Sequence, residues 1–114
     1  MQDCLFCKII SGEIPAQPVF EDDRVFAFKD INPVAPVHVL IIPKKHIATL
    51  VDLSSDDSGL MGHIVTTAAR IAGEMGLSEQ GFRLVANCKE EGGQTVYHIH
   101  FHLIGGRQMQ WPPG

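Results

Sequence analysis

No apolar run in the chain approaches the roughly 20 residues that a membrane span needs. The start, Met1-Gln2-Asp3-Cys4, carries no basic segment ahead of an apolar one. A membrane protein is therefore not expected, and a cytoplasmic one is. Positive charge is short as well: nine Lys and Arg against 13 Asp and Glu give a formal net charge of −4. Gripping a nucleic-acid polymer by its phosphates needs basic patches, so no such partner is expected. A small anion needs only local donors and stays open. Internal repeats, low-complexity segments and domain boundaries are absent, so the 114 residues read as one domain, 1–114, with a single core. Cysteine is sparse. Three cannot all pair within one chain, and a cytosolic disulfide is not expected. Cys4-x-x-Cys7 has the spacing of a zinc half-site or a redox motif. A thioredoxin-like dithiol follows a strand, and none is expected before Cys4. Two readings remain: zinc with two further ligands from elsewhere, or two inert thiols on a short helix.

What the chain does have is concentrated near its C-terminal end, in Tyr97-His98-Ile99-His100-Phe101-His102-Leu103-Ile104. The period of two predicts a strand with the three imidazoles on one face and Ile99, Phe101 and Leu103 on the other. At about 3.3 Å per residue, neighbouring imidazoles would stand roughly 7 Å apart and the outer pair roughly 13 Å. Metal–nitrogen bonds are about 2 Å long, so a straight strand cannot close all three on one ion. At most two neighbours could. Imidazole titrates near neutrality and serves as base, acid, nucleophile or ligand, so the three are read as working residues. Upstream lie Asn87 and Glu90-Glu91-Gly92-Gly93-Gln94-Thr95. A glycine pair followed by an amide and a hydroxyl can offer open backbone N–H groups to an anion; taken alone it is also an ordinary hairpin turn.

The remaining elements follow from pattern. Residues 4–11 suit a short helix. Val19–Glu21 and Arg24–Phe28 read as a hairpin around Asp22-Asp23, and Asp30–Pro36 as a loop. Val37–Ile42 is a nearly continuous apolar run closed by Pro43, hence a central strand with a buried His38. A helix from about Ser55 to Met75, capped by Ser54, Ser55 or Asp56 and stopped at Gly76, shows the stripe Leu60, Ile64, Ala68, Ile71 and Met75. His63 on it reads as structural. Gly81–Ala86 is a fourth strand and His98–Ile104 a fifth. The sum is an α+β fold, an antiparallel sheet of about five strands with one main helix and a short N-terminal helix.

His98-x-His100-x-His102, with its apolar flanks, resembles the motif that names the histidine triad (HIT) superfamily of nucleotide hydrolases and transferases. Asp30-Ile31-Asn32-Pro33, Ala35-Pro36-Val37-His38, Ile42-Pro43-Lys44-Lys45-His46, Gly92–Tyr97 and the ending Gly105–Gly114 are similar to its branch of histidine triad nucleotide-binding proteins. The similarity runs over essentially the whole chain.

The resemblance implies a HIT-like fold and a homodimer whose sheets join, with the C-terminal tail near the partner's active site; Trp111 suggests a docked anchor. It implies that His100 attacks the α-phosphorus of a purine nucleotide phosphoramidate and forms a nucleotidyl-histidine that water hydrolyses. His102 would contact the phosphate and His38 would orient the triad. Backbone groups of Gly93, Gln94 and Thr95, with Asn87, would bind phosphate oxygens. Phe6, Ile9, Phe28 and Ile31 would form the base slot, and Asp30 would take the ribose hydroxyls. Certain bacterial relatives hold zinc on two N-terminal cysteines and two histidines, which implies a structural, non-catalytic zinc on Cys4, Cys7, His46 and His98. The alternatives are a dinucleoside polyphosphate hydrolase of the same fold, a nucleotide-responsive protein-binding module, and a metal-dependent hydrolase built on the histidine row, which the spacing disfavours.

Overall fold

In the computed structural model, which describes residues 3–114, everything is laid against β3 (Val37–Pro43). Its β-branched run favours a strand, and all of it from His38 on is buried. β2 (Val25–Lys29) pairs antiparallel on one side and β5 (Phe101–Gly105) on the other. β1 (Pro18–Glu21) and β4 (Phe82–Ala86) complete a five-stranded antiparallel sheet of order β1-β2-β3-β5-β4.

Alternation divides the strands between two layers. Val39 and Ile41 of β3, Val25 and Ala27 of β2 and Leu103 of β5 face the main helix, α2 (Ser58–Glu74), meeting Ile64, Ala68, Ile71 and Ala72. Leu40 and Ile42 of β3 and Phe26 and Phe28 of β2 face the other way, onto Phe6 of the short helix α1 (Leu5–Ile10). The candidate site residues sit on this second side. The register places Leu40 opposite His102, which puts that imidazole on the α1 face.

The helix boundaries follow local chemistry. The Ser54 hydroxyl accepts from Asp56 N–H, and a 3-10 turn over Ser55–Asp57 precedes α2. At the other end Leu77 N–H bonds back to Ala72 and Gly76 takes φ +77, a conformation that costs glycine little. His63 is tied to the β1–β2 turn, its Nε2 2.6 Å from Asp22 Oδ2.

Two expectations are corrected here. The histidine strand starts at Phe101, so His98, Ile99 and His100 lie outside the ladder. The backbone peels away because its partners are taken: Ile99 N–H donates to Ile47 O, and the Pro43 carbonyl accepts from His98 Nε2. The glycine pair is also not a simple turn. Lys89–Gly92 form a helical turn, α3, ended by Gly93 at φ +82.

Candidate active site and metal cluster

Because the chain leaves the ladder before His100, the three imidazoles do not stand in a row. His100 folds back so that its Nδ1 donates to the carbonyl of His98 at 2.8 Å. A carbonyl only accepts, so Nδ1 carries the proton and the lone pair of neutral His100 is on Nε2. The rings of His100 and His102 come within 5.1 Å of each other, closer than a regular strand predicts. Burial lowers the pKa of His100 against the raising effect of the His98 bond, so the ring is neutral near pH 7. A neutral imidazole with a fixed proton and a free lone pair is a nucleophile.

His102 is oriented differently. The Val34 N–H donates to His38 Nδ1 at 3.2 Å, which leaves the proton of neutral His38 on Nε2. That Nε2 lies 3.0 Å from His102 Nδ1 and 3.3 Å from Asp30 Oδ2. His38 therefore donates toward His102 Nδ1, and the proton of His102 falls on Nε2. Burial, with His100 and His38 nearby, lowers the pKa of His102 to about 4. Two neighbouring imidazoles thus hold opposite tautomers, one presenting a lone pair and the other an N–H. Asp30, His38 and His102 are near enough to one another to bracket a cation. However, the Val34 bond places a proton on the one His38 atom that would have to ligate.

Both rings open into a cleft of about 310 Å³, within the usual size range of small-molecule sites. Its walls include Phe6 and Ile9 from α1, Phe28 and Leu40 from the sheet, Asp30 and Ile31 from the β2–β3 loop, and Thr95 and Val96. The sequence reading missed Ile14, Pro15, Ala16, Leu40 and Val96, which also line it. Only the alternation that puts Leu40 on the His38 face could have flagged one of them. Asn87, Gly93 and Gln94 are not among the lining residues. The N–H groups of Gly93 and Gln94 bond to Glu90 and Lys89 carbonyls, and the buried Gln94 amide holds Lys89, Ala48 and Val96. These two donors, expected to face an anion, instead fasten the loop that presents Thr95. Asn87 sits beside this turn: a Cβ added at Gly92 would come 3.6 Å from its backbone carbon.

Beside this cleft, Cys4, Cys7, His46 and His98 converge. His98 Nδ1 lies 3.3 Å from Cys4 Sγ, 3.6 Å from Cys7 Sγ and 3.1 Å from His46 Nδ1; Cys7 Sγ is 3.5 Å from His46 Nδ1. A tetrahedral zinc with bonds of about 2.3 Å to sulfur and 2.0–2.1 Å to nitrogen would set such atoms about 3.3–3.8 Å apart. His98 Nε2 donates to Pro43 O at 2.8 Å, so the Nδ1 of the neutral ring carries the lone pair. Burial, together with the adjacent Cys4, raises the Cys7 thiol pKa; a cation between the sulfurs would reverse that. The donor set and its spacing fit a closed metal site. The third cysteine, Cys88, is free and half-buried, away from this group.

Comparison with known proteins bears on the fold and the family. A model of the HIT domain matches residues 11–109. The chain is 48% identical to the purine nucleoside phosphoramidase of Escherichia coli K12 over 108 residues, 95% of this chain and 91% of that protein. It is 51% identical to an uncharacterised HIT-like protein of Synechococcus elongatus over 113 residues, 99% and 98% of the two chains. The crystal structure of a HIT family hydrolase from Legionella pneumophila superposes with a TM-score of 0.97 at 62% identity, covering 98% of this chain and all of that one. A histidine triad protein from Clostridium difficile gives 0.93 at 46% identity, covering 96% of each. Matched by the HIT-domain model over residues 11–109, and sharing its fold and nearly its whole length with these proteins, the chain belongs to the HIT family.

Proposed function

We propose that this protein hydrolyses purine nucleoside 5′-phosphoramidates through a nucleotidyl-histidine intermediate on His100. The observation that carries the reading is the pair of opposite tautomers: His100 pinned by the His98 carbonyl, His102 pinned by His38. His100 Nε2 attacks the α-phosphorus and the P–N bond breaks. The departing nitrogen takes its proton from solvent water and leaves as the amine, while the Thr95 hydroxyl and the His102 Nε2–H, which stay protonated, donate hydrogen bonds to the phosphate oxygens. Water then attacks the phosphorus, releasing the nucleoside monophosphate and restoring His100. Since both donors are already aimed, little reorganisation accompanies the charge transfer. Phe6, Ile9, Phe28 and Ile31 hold the base, and Asp30 accepts from the ribose hydroxyls. The 48% identity to a purine nucleoside phosphoramidase supports the substrate class.

Cys4, Cys7, His46 and His98 would hold zinc, which with four protein ligands has no open position and contributes to folding rather than to the reaction. The active unit is a cytoplasmic homodimer. β4 is an edge of the sheet with Phe82 42% exposed, and Trp111 stands 82% exposed at the tail. Trp111 is thus not anchored within its own chain, and a second copy would cover it. Among the described residues no helix is long and apolar enough to cross a membrane.

Kinetics on adenosine 5′-phosphoramidate test the reading. The expected result is turnover by the wild type that survives a chelator and is lost in His100→Ala. Turnover retained by the variant would refute the nucleophile. Loss of turnover with purine-nucleotide affinity and every cellular effect intact would favour the binding-module reading, and a stronger preference for dinucleoside polyphosphates would move the substrate class.

A further inference from the structure

His98 belongs to both centres at once. Its imidazole Nδ1 is one of the four atoms of the metal cluster, while its carbonyl accepts the hydrogen bond that fixes the tautomer of His100. A second connection runs parallel to the first. Phe6 lies between Cys4 and Cys7 on α1, is 4% exposed, and sets its ring edge-to-face against His100 at 5.0 Å and against His98 at 5.9 Å. The same ring lines the cleft, as do Leu5 and Ile9 of α1. Six-residue α1 is too short to be stable alone. Holding both cysteines therefore also fixes one wall of the cleft.

From this arrangement we infer that metal loading and nucleotide binding are thermodynamically linked, with His98 and Phe6 as the positioning residues that carry the linkage. The inference rests on the zinc and nucleotide readings above and adds to them. Linkage is reciprocal: if the loaded cluster tightens nucleotide binding by some factor, the nucleotide tightens metal binding by the same factor. A cluster that only held the fold together would need neither Phe6 nor the His98 carbonyl to make contact with the nucleophile.

The test is the equilibrium zinc affinity of the full chain, measured against a competing chelator with and without saturating AMP. A second depression, with Cys4, His46, Ala48 and Tyr97 in its rim, adjoins the cleft and shares Leu5, Thr95 and Val96 with it. An equilibrium measurement is in any case indifferent to blocked access. The expected result is zinc binding tightened by AMP about fivefold or more, in the usual range of coupled sites. AMP affinity measured by calorimetry on loaded and stripped protein should change by the same factor. In Phe6→Leu and Phe6→Ala, which keep all four ligands, the factor should fall below about twofold while AMP, at higher concentration, still saturates. A linkage that merely reflected folding of the whole chain would survive both substitutions and would overturn the inference. So would an unchanged zinc affinity with AMP demonstrably bound, which leaves the nucleotide reading intact. Failure of the loaded protein to bind AMP, or of the purified chain to bind zinc, would refute the corresponding reading, and the linkage with it.

Discussion

A single imidazole is chemically ambiguous, and the geometry resolves the ambiguity one hydrogen bond at a time. Each of the four central histidines has one ring nitrogen fixed by a backbone group or by its neighbour: His98 by Pro43 O, His100 by His98 O, His38 by Val34 N–H, and His102 by His38. From these four bonds follow the roles proposed for them: a ligand, a nucleophile and a donor pair. Removal of His38 leaves His102 Nδ1 without its donor, so His38→Ala should lower kcat by about 10²-fold, within the range for losing one preorganised hydrogen-bond donor. Binding of AMP should change much less, and a KM effect without a kcat effect would contradict this role. The sequence alone made the histidines conspicuous and resemblance suggested their parts. The tautomers were not legible, because they depend on how the backbone turns to bring up each partner, near ones such as His98 O as well as distant ones such as Pro43 O.

His102 also ties stability to pH. Its folded pKa of about 4 lies below the unfolded imidazole value of about 6.5. The folded state therefore binds fewer protons than the unfolded chain between those values, and stability falls as pH falls through that window. Above pH 6.5 this group contributes no slope. Urea midpoints between pH 7 and 4 should decline in the wild type and decline less steeply in His102→Asn. A steeper decline in the variant would contradict the assignment.

At the scale of elements, the central strand and the long helix were readable because their patterns answer to burial. β3 is apolar on both faces since both are covered, and the stripe on α2 matches the buried Ile64, Ala68 and Ile71. Truncating such a residue, as in Ile41→Ala, should cost about 2–5 kcal/mol in chemical denaturation. A loss under 1 kcal/mol would mean that the site collapses freely. The triad strand was misread at its start for the opposite reason. Alternation of histidine and apolar residues is a property of the sequence, while departure from the ladder at His100, opposite Ile42 of β3, goes with bonds made elsewhere, Ile99 N–H to Ile47 O and His98 Nε2 to Pro43 O. The turn at Gly93 likewise concealed α3, a single helical turn too short to show a period. α1 depends on its anchors: Cys4→Ser should abolish zinc retention and lower Tm by at least about 5 °C, a shift expected from a loss of roughly 1 kcal/mol or more in a domain of this size. An unchanged Tm with zinc lost would show that α1 packs without the metal.

At the scale of the molecule, the chain divides its sheet between duties. One face buries α2 and supplies most of the core; the other carries α1, the Cys4, Cys7, His46 and His98 group and the cleft. Trp111, and Phe82 on the edge strand β4, are exposed apolar side chains that the proposed homodimer would cover. Sedimentation equilibrium should give twice the chain mass at micromolar concentration, and Trp111 fluorescence should shift to shorter wavelength on association. A monomer with an unchanged spectrum would leave the tryptophan without a partner.

The covalent intermediate on His100 is the central claim, and it has a direct measurement. Wild-type protein mixed with adenosine 5′-phosphoramidate, quenched in denaturant within one turnover and analysed by intact and peptide mass spectrometry, should carry one adenylyl group on His100. That group should vanish as turnover ends and be absent from His100→Ala. Adenylation of another residue, or hydrolysis with no adenylated protein under conditions where breakdown of the intermediate is slow, would contradict the account.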